Sequence, residues 1–345
     1  MNATEDRQIM RRKGILARFP RRPHQLAESI TPLDGVFTLA HFGIPDVDPS
    51  GAPGGWTIEV DGMVRRPIRL TLDDLMRRSK RTVLSVHECA GNPLRPKQPV
   101  RAVANVIWGG ADLREILDEA GIDPAARFIW SYGVDHGEYA NIGCASYLKD
   151  LPLERLAAGD VLLAYEMNGE PLTVEHGAPV RLFIPGYYGT NCVKWLRRIT
   201  ISDRRADGPL TTILYNDAPP RSRGAGRDAV PRPVWEIAPE SIIVAPAPNA
   251  EIRAGDRFEI WGWAWAAGGV ARMEVNLDSG EAWERAKLAD RHDWSWQRFS
   301  YDWRPAAAGT FTISCRASAA DGATQPDAGA RNSIHKVKVR VIEGC

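Results

Sequence analysis

At 345 residues the chain is long enough for two domains with full cores, and a formal charge of +1 with 25% charged residues offers no field for a polyanion or a membrane surface. Nucleic-acid and membrane partners are therefore not expected. The five cysteines are odd in number and include no C-x-x-C pair, which argues against a disulfide framework, a zinc site or an iron–sulfur cluster and for a reducing compartment, the cytoplasm.

Residues 1–30 read as a basic N-terminal extension. Arg11-Arg12 is followed by no apolar segment, so no secretion signal is expected. Trp56, Ile58 and Val60 alternate before Asp61-Gly62, the pattern of a strand entering a hairpin. Thr71 is placed to cap a helix with Leu72, Leu75 and Met76 on one face. Val83 to Val86 is a short apolar run that delivers Cys89 into the small-residue turn Ala90-Gly91-Asn92. On this pattern alone a buried structural thiol and a reactive group at a strand end are both open readings.

Leu113, Ile116, Leu117 and Ala120 fall at helical spacing, with Gly121 as the stop. Asp160 to Met167 reads as a strand turning at Asn168-Gly169, and Val180 to Ile184 as another ending at Pro185-Gly186. Strands and helices mix without βαβ alternation, so residues 31–205 are expected to form an α+β domain on a mixed sheet. Residues 206–235, dense in Pro, Gly and Arg, read as a linker lying over that domain. From residue 236 to 345, short strands recur with turns at Asp278-Ser279-Gly280 and Asp321-Gly322, the pattern of an all-β, immunoglobulin-like sandwich.

The segment H-E-C-A-G-N around Cys89 resembles the molybdenum-ligating cysteine segment of the sulfite oxidase family, and further matches follow in the same order along the chain. H-G-A-P-V-R supplies His176 and Arg181, Y-G-T-N-C-V-K-W supplies Lys194, H-F-G-I-P supplies His41 with Phe37 before it, and Y-G-V-D supplies Asp135. The resemblance implies a mononuclear molybdenum cofactor with a pterin dithiolene. It implies Cys89 as the metal's protein ligand and Phe37, His41, Asp135, His176, Arg181 and Lys194 as cofactor-binding residues. The ligand chemistry suits the metal, because molybdenum takes soft sulfur donors and a phosphate takes clustered cations.

On the substrate side the resemblance implies Trp108 as a pocket tryptophan, Tyr215 as an active-site tyrosine and Arg291 as an arginine sent in from the second domain. G-W-A-W and R-N-S-I-H in the C-terminal half resemble the family's dimerisation domain and imply a homodimer. The implied activity is two-electron oxygen-atom transfer on sulfite or a related sulfur compound, with dioxygen or a separate carrier as acceptor. No haem, flavin or iron–sulfur domain is expected on this chain.

Two positions depart from the family. Where sulfite-oxidising members carry arginines facing the anion, this chain has Leu39, followed by Ala40, and Leu94, preceded by Pro93. An oxyanion in a dry pocket needs paired cations. Either Arg95 or Lys97 replaces them, or the substrate is less anionic, for example a sulfoxide handled in the reducing direction, or the chain is a silent binding protein.

Overall fold

The computed structural model describes residues 8–12, 14–48, 55–92, 102–217, 231–277 and 282–344. Leu94, Arg95, Lys97 and the turn at Asp278-Ser279-Gly280 lie outside them. The chain divides into two compact units. One comprises Met1–Arg18, Thr38–Val83 and Ile107–Glu236, and the other Phe19–Phe37, Leu84–Val106 and Ile237–Cys345.

The first unit is built on a mixed five-stranded sheet in the order Leu148–Pro152, Phe128–Gly133, Leu196–Ser202, Thr57–Gly62, Ile68–Thr71. Leu196–Ser202 runs parallel to Thr57–Gly62 and antiparallel to Phe128–Gly133, as expected of an α+β domain. The alternation read around Trp56 is the sheet's pleat: Trp56, Ile58 and Val60 are all buried. A second sheet pairs Leu162–Met167 with Arg181–Phe183 on one side and with Val103–Asp112 on the other. Asn168 and Gly169 adopt φ of 52° and 83°, the left-handed pair that a two-residue hairpin turn requires.

The helix Leu113–Ala120 buries all four residues of its apolar stripe and ends on Gly121 at φ 74°. Thr71 caps Leu72–Met76 through a reciprocal box with Asp74, and Leu75 is buried. Met76, expected on that same face, is 57% exposed, because a helix of five residues makes little more than one turn. Among the described residues no helix is long and apolar enough to cross a membrane.

The second unit contains the predicted sandwich. One sheet has the order Glu240–Ala245, Phe258–Trp265, Gln297–Trp303, Lys287–Leu288. The other runs Glu251–Arg253, His335–Ile342, Gly309–Ala319, Val270–Leu277, Glu284–Arg285. Ile260, Phe299 and Trp303 of the first sheet share one core with Val275, Ile313, Cys315 and Val339 of the second. Leu84–Val106 joins this unit through main-chain hydrogen bonds between Leu84 or Val86 and Trp294.

Close backbone approach fixes one glycine. A Cβ on Gly110 would sit 2.4 Å from the Leu163 carbonyl oxygen and 2.7 Å from the Ala164 Cα, so the strand bearing Trp108 and the strand bearing Ala164 need glycine where they meet. Gly110→Ala is expected to destabilise the apoprotein by about 2 kcal/mol or more. A thermal melt unchanged from wild type would show that the strands can separate at no cost.

Candidate active site

Cys89 follows the last residue of the strand Lys80–Glu88. Its main-chain N–H donates to the Ala102 carbonyl at 2.9 Å, and Asn92 closes the same neck by accepting from the Ala102 N–H at 2.7 Å. The thiol accepts from the Gly91 N–H at 3.3 Å. Burial, with the Glu88 carboxylate nearby, pushes it up to about 11 against the opposing effect of the Gly91 N–H. A soft metal would remove that proton outright.

Below Cys89, Glu88 is fully buried and receives hydrogen bonds from the Trp265 indole at 2.7 Å and the Asn92 amide at 3.2 Å. Burial holds its carboxyl well above the usual carboxylate range, against the lowering effect of its hydrogen bond with Glu240. Asn92 therefore ties together the buried acid, the Cys89 carbonyl, to which its N–H donates at 2.9 Å, and Ala102. Phe37 is buried in this unit and stacks on His87, with centroids 5.1 Å apart. Arg291, also here, lies with its guanidinium over the Trp294 ring at 4.9 Å and donates to the Ala267 carbonyl at 3.0 Å.

The first unit gathers most of the other candidates. Arg181 is 2% exposed and donates to the carbonyls of His176 and Cys192, both at 2.9 Å, with its guanidinium 4.9 Å from the centre of the Trp108 ring. Trp108 is itself fully buried and stacked on Phe183. Lys194 donates to the Glu175 carbonyl at 2.9 Å, over the Trp195 ring. Burial pushes Arg181 down to about 10 and Lys194 well below the usual lysine range. Among the described residues Arg181 Nε is buried with no hydrogen-bond partner, as is Asp135 Oδ1. Burial raises the Asp135 carboxyl despite the charge of Lys194.

His176 ends a short turn closed by Gly177 at φ 104°, where a Cβ would stand 3.0 Å from the Lys194 side chain. Burial first, then Arg181 and Lys194, drive the His176 imidazole down to about 3. His41 is likewise held at about 3, by burial and by the charges of Lys194 and Lys149. Both rings are thus neutral at physiological pH.

His41 Nε2 is hydrogen-bonded to the Tyr215 hydroxyl, and Tyr139 packs edge-on against the imidazole at 4.5 Å. Tyr147 lies 5.5 Å from His41 and is anchored to the Thr190 carbonyl at 3.0 Å. His41, Asp135, His176, Arg181, Lys194 and Tyr215 are therefore neighbours in one unit. Sequence reasoning missed Lys149, Tyr139 and Tyr147 beside His41, and Asn92 and Glu88 beside Cys89. The legible signal for Lys149 was a lysine inside the apolar strand pattern Y-L-K-D-L.

The buried His41, Asp135 and Arg181 and the half-buried His176 and Lys194, with the cations bonded to main-chain carbonyls, form a basin of positive charge suited to an anion. The cofactor implied by the cysteine motif would fit that basin: Arg181 and Lys194 would offer cations to its phosphate, and Arg181 Nε and Asp135 Oδ1, buried without a hydrogen-bond partner, would offer polar atoms to a pterin. Among the described residues no cluster of three or more His, Cys, Asp or Glu could hold a metal ion, and Cys89 stands as a single soft donor.

The description "oxidoreductase molybdopterin binding domain" matches residues 41–210, and "Mo-co oxidoreductase dimerisation domain" matches residues 232–341. The second match supports a homodimer. The chain is 33% identical to sulfite oxidase of Gallus gallus over 324 residues, covering 86% of this chain and 68% of that one. It is 30% identical to mitochondrial sulfite oxidase of Rattus norvegicus over 360 residues, covering 93% of this chain and 63% of the relative. The crystal structure of the sulfane dehydrogenase SoxCD from Paracoccus pantotrophus superposes with a TM-score of 0.80 at 27% identity, over 96% of this chain and 86% of that one. With its molybdopterin-binding domain, its dimerisation domain and its cysteine segment in order, the chain belongs to the sulfite oxidase family of molybdenum-cofactor oxidoreductases.

Proposed function

We propose that the chain catalyses two-electron oxygen-atom transfer on a sulfur compound, with Cys89 as the metal's thiolate ligand. Arg181, Lys194, His176 and Asp135 hold the cofactor, and Tyr215 with His41 stands at the reacting side. The observation that carries this reading is the cation pair of buried Arg181 and half-buried Lys194, whose hydrogen bonds go to carbonyl groups and leave their charge for an anion. When bound, the molybdenum cofactor supplies the two-electron redox chemistry.

The protein's own contribution is positional. Arg181 is held flat by Trp108, so its fork cannot turn away from the basin. Neutral His41 fixes the Tyr215 hydroxyl, and that hydroxyl is the group suited to hand a proton to or from a substrate oxygen. Trp108 serves as the support of Arg181. Phe37 packs against His87, and Arg291 is held by the Ala267 carbonyl and the Trp294 ring. Electrons leave to an external acceptor, either dioxygen or a separate carrier.

Leu39, half-buried in the strand Thr38–Ala40, puts an apolar side chain where an anion-binding arginine stands in sulfite-oxidising relatives. Sulfite is accordingly a poor substrate, and an uncharged or less anionic sulfur compound the preferred one. The cysteine pattern, odd in number and without a C-x-x-C pair, supports a reducing compartment such as the cytoplasm.

Molybdenum per chain by elemental analysis, paired with ferricyanide-coupled turnover, tests the reading. The expected result is stoichiometric metal with slow sulfite oxidation, and a rise of about 10- to 100-fold in sulfite kcat/KM on Leu39→Arg. Protein expressed with an adequate cofactor supply that still purifies without molybdenum would refute it.

A further inference from the structure

We propose that Lys149 is a positioning residue for Tyr215, its ammonium holding the face of the phenol ring while its hydrogen bond anchors the segment from which the tyrosine projects. Lys149 lies on the strand Leu148–Pro152 and is 2% exposed. Its Nζ donates to the Leu210 carbonyl at 3.0 Å and stands 5.2 Å from the centre of the Tyr215 ring.

The adjacent carboxylate does not neutralise it. Successive side chains of a strand point to opposite faces, and Asp150 is engaged by Arg205 at 2.9 and 3.0 Å and by the Ala206 N–H at 3.0 Å. A buried cation without a carboxylate partner is costly, and a leucine would pack there more cheaply. In its ammonium form the group has two facing neighbours. On one side is the Tyr215 ring and on the other the electrostatic neighbourhood of His41, whose hydrogen bond to Tyr215 depends on a neutral imidazole.

Tyr215 needs such support. Its backbone sits at φ 54°, a left-handed conformation that a bulky residue rarely adopts and that persists only where the surroundings over-determine it. Thr211 Oγ1 donates to the Leu148 carbonyl at 3.2 Å, Asn216 donates to the carbonyls of Thr211 and Leu214, and the Val234 N–H donates to the Tyr215 carbonyl at 2.9 Å. These contacts fix the main chain. Lys149 reaches the ring itself, as does the edge-on His41 imidazole at 5.8 Å.

The role rests on Tyr215 belonging to the reacting site, so the test carries a readout independent of turnover. Full-length protein labelled with 3-fluorotyrosine gives a fluorine spectrum in which Tyr215 is identified by its loss in Tyr215→Phe. Lys149→Met and Lys149→Gln are both expected to shift that resonance and to lower kcat by about 10²-fold with KM changed less than about threefold. Lys149→Arg, which keeps the charge, is expected to recover part of both. Gln preserves a donor for Leu210, so a Lys149→Gln protein with a wild-type resonance and kcat would make Lys149 an anchor only and overturn the proposal. An unmoved resonance in both uncharged variants would do the same. If Lys149→Met fails to fold, the Gln and Arg variants decide. Failure of the molybdenum assignment would show in metal content and leave the fluorine comparison intact.

Discussion

Apoprotein melted at about pH 9 is expected to unfold about 4–8 °C higher than at about pH 7.5, the reverse of the flat profile expected of surface lysines. The cause is Lys149, which burial pushes down to about 7 from 10.5, with Lys194 displaced in the same direction. A lysine whose pKa is lower in the folded state binds fewer protons there than in the unfolded chain throughout the interval between the two values. Stability therefore rises with pH across that interval. Over the chosen span Lys149 alone contributes about 2 kcal/mol.

Other groups do not confuse the window. His41 and His176, both driven to about 3, raise stability with pH only up to their ordinary value of 6.5. Glu88 and Asp135, raised by burial, act in the opposite sense, but their effect fades above about pH 7. Cys89 and Tyr187, displaced upward to about 11 and about 12, oppose only above about pH 9. An anion seated among these cations keeps them charged, so cofactor-loaded protein should show a much smaller pH dependence. Equal melting temperatures at the two pH values for the apoprotein would mean that the lysines reach solvent.

Cys89→Ser is expected to cut molybdenum to a small fraction of the wild-type content and turnover by at least about 10³-fold, while the melting temperature of the apoprotein stays close to wild type. The asymmetry follows from what the sulfur touches. In the apoprotein it accepts one weak bond from the Gly91 N–H, which a serine oxygen replaces. Toward a soft metal a hydroxyl is a poor substitute for thiolate, being harder and far less acidic. Cys144→Ser is the matched control, because that thiol is buried and contacts the Ile142 carbonyl at 3.8 Å. Full metal content and turnover in Cys89→Ser would remove Cys89 from the ligand role.

The parts of the fold written in local periodicity were legible in the sequence. Leu113, Ile116, Leu117 and Ala120 spell one helical face, and Trp56, Ile58 and Val60 one face of a strand, because each pattern is set by burial of side chains a few residues apart. What the sequence hid depends on distant contacts. Nothing local in Phe19–Phe37 or Leu84–Val106 says that these stretches cluster with Ile237–Cys345, as they do. Glu88 and Lys149 carry charges that ordinarily mark a surface, yet both are buried, each made tolerable by partners that are far away in sequence: Trp265 for one, Leu210 and Tyr215 for the other. The cysteine, histidine and arginine of the site were visible because their segments resemble a known family. Lys149 was not, since its importance lies in geometry and not in a motif, and Asn92, although it closes the cysteine segment, has a role that only its contacts with Glu88 and Ala102 reveal.

Asn92 and Ala102 pinch the chain together immediately beyond the thiol, the Ala102 carbonyl accepting from the Cys89 N–H and the Asn92 side-chain oxygen from the Ala102 N–H. A neck closed this way works as a socket. The socket is made by Asn92 and Ala102 themselves, so a change at either residue is felt both at the main chain of Cys89 and at the buried Glu88.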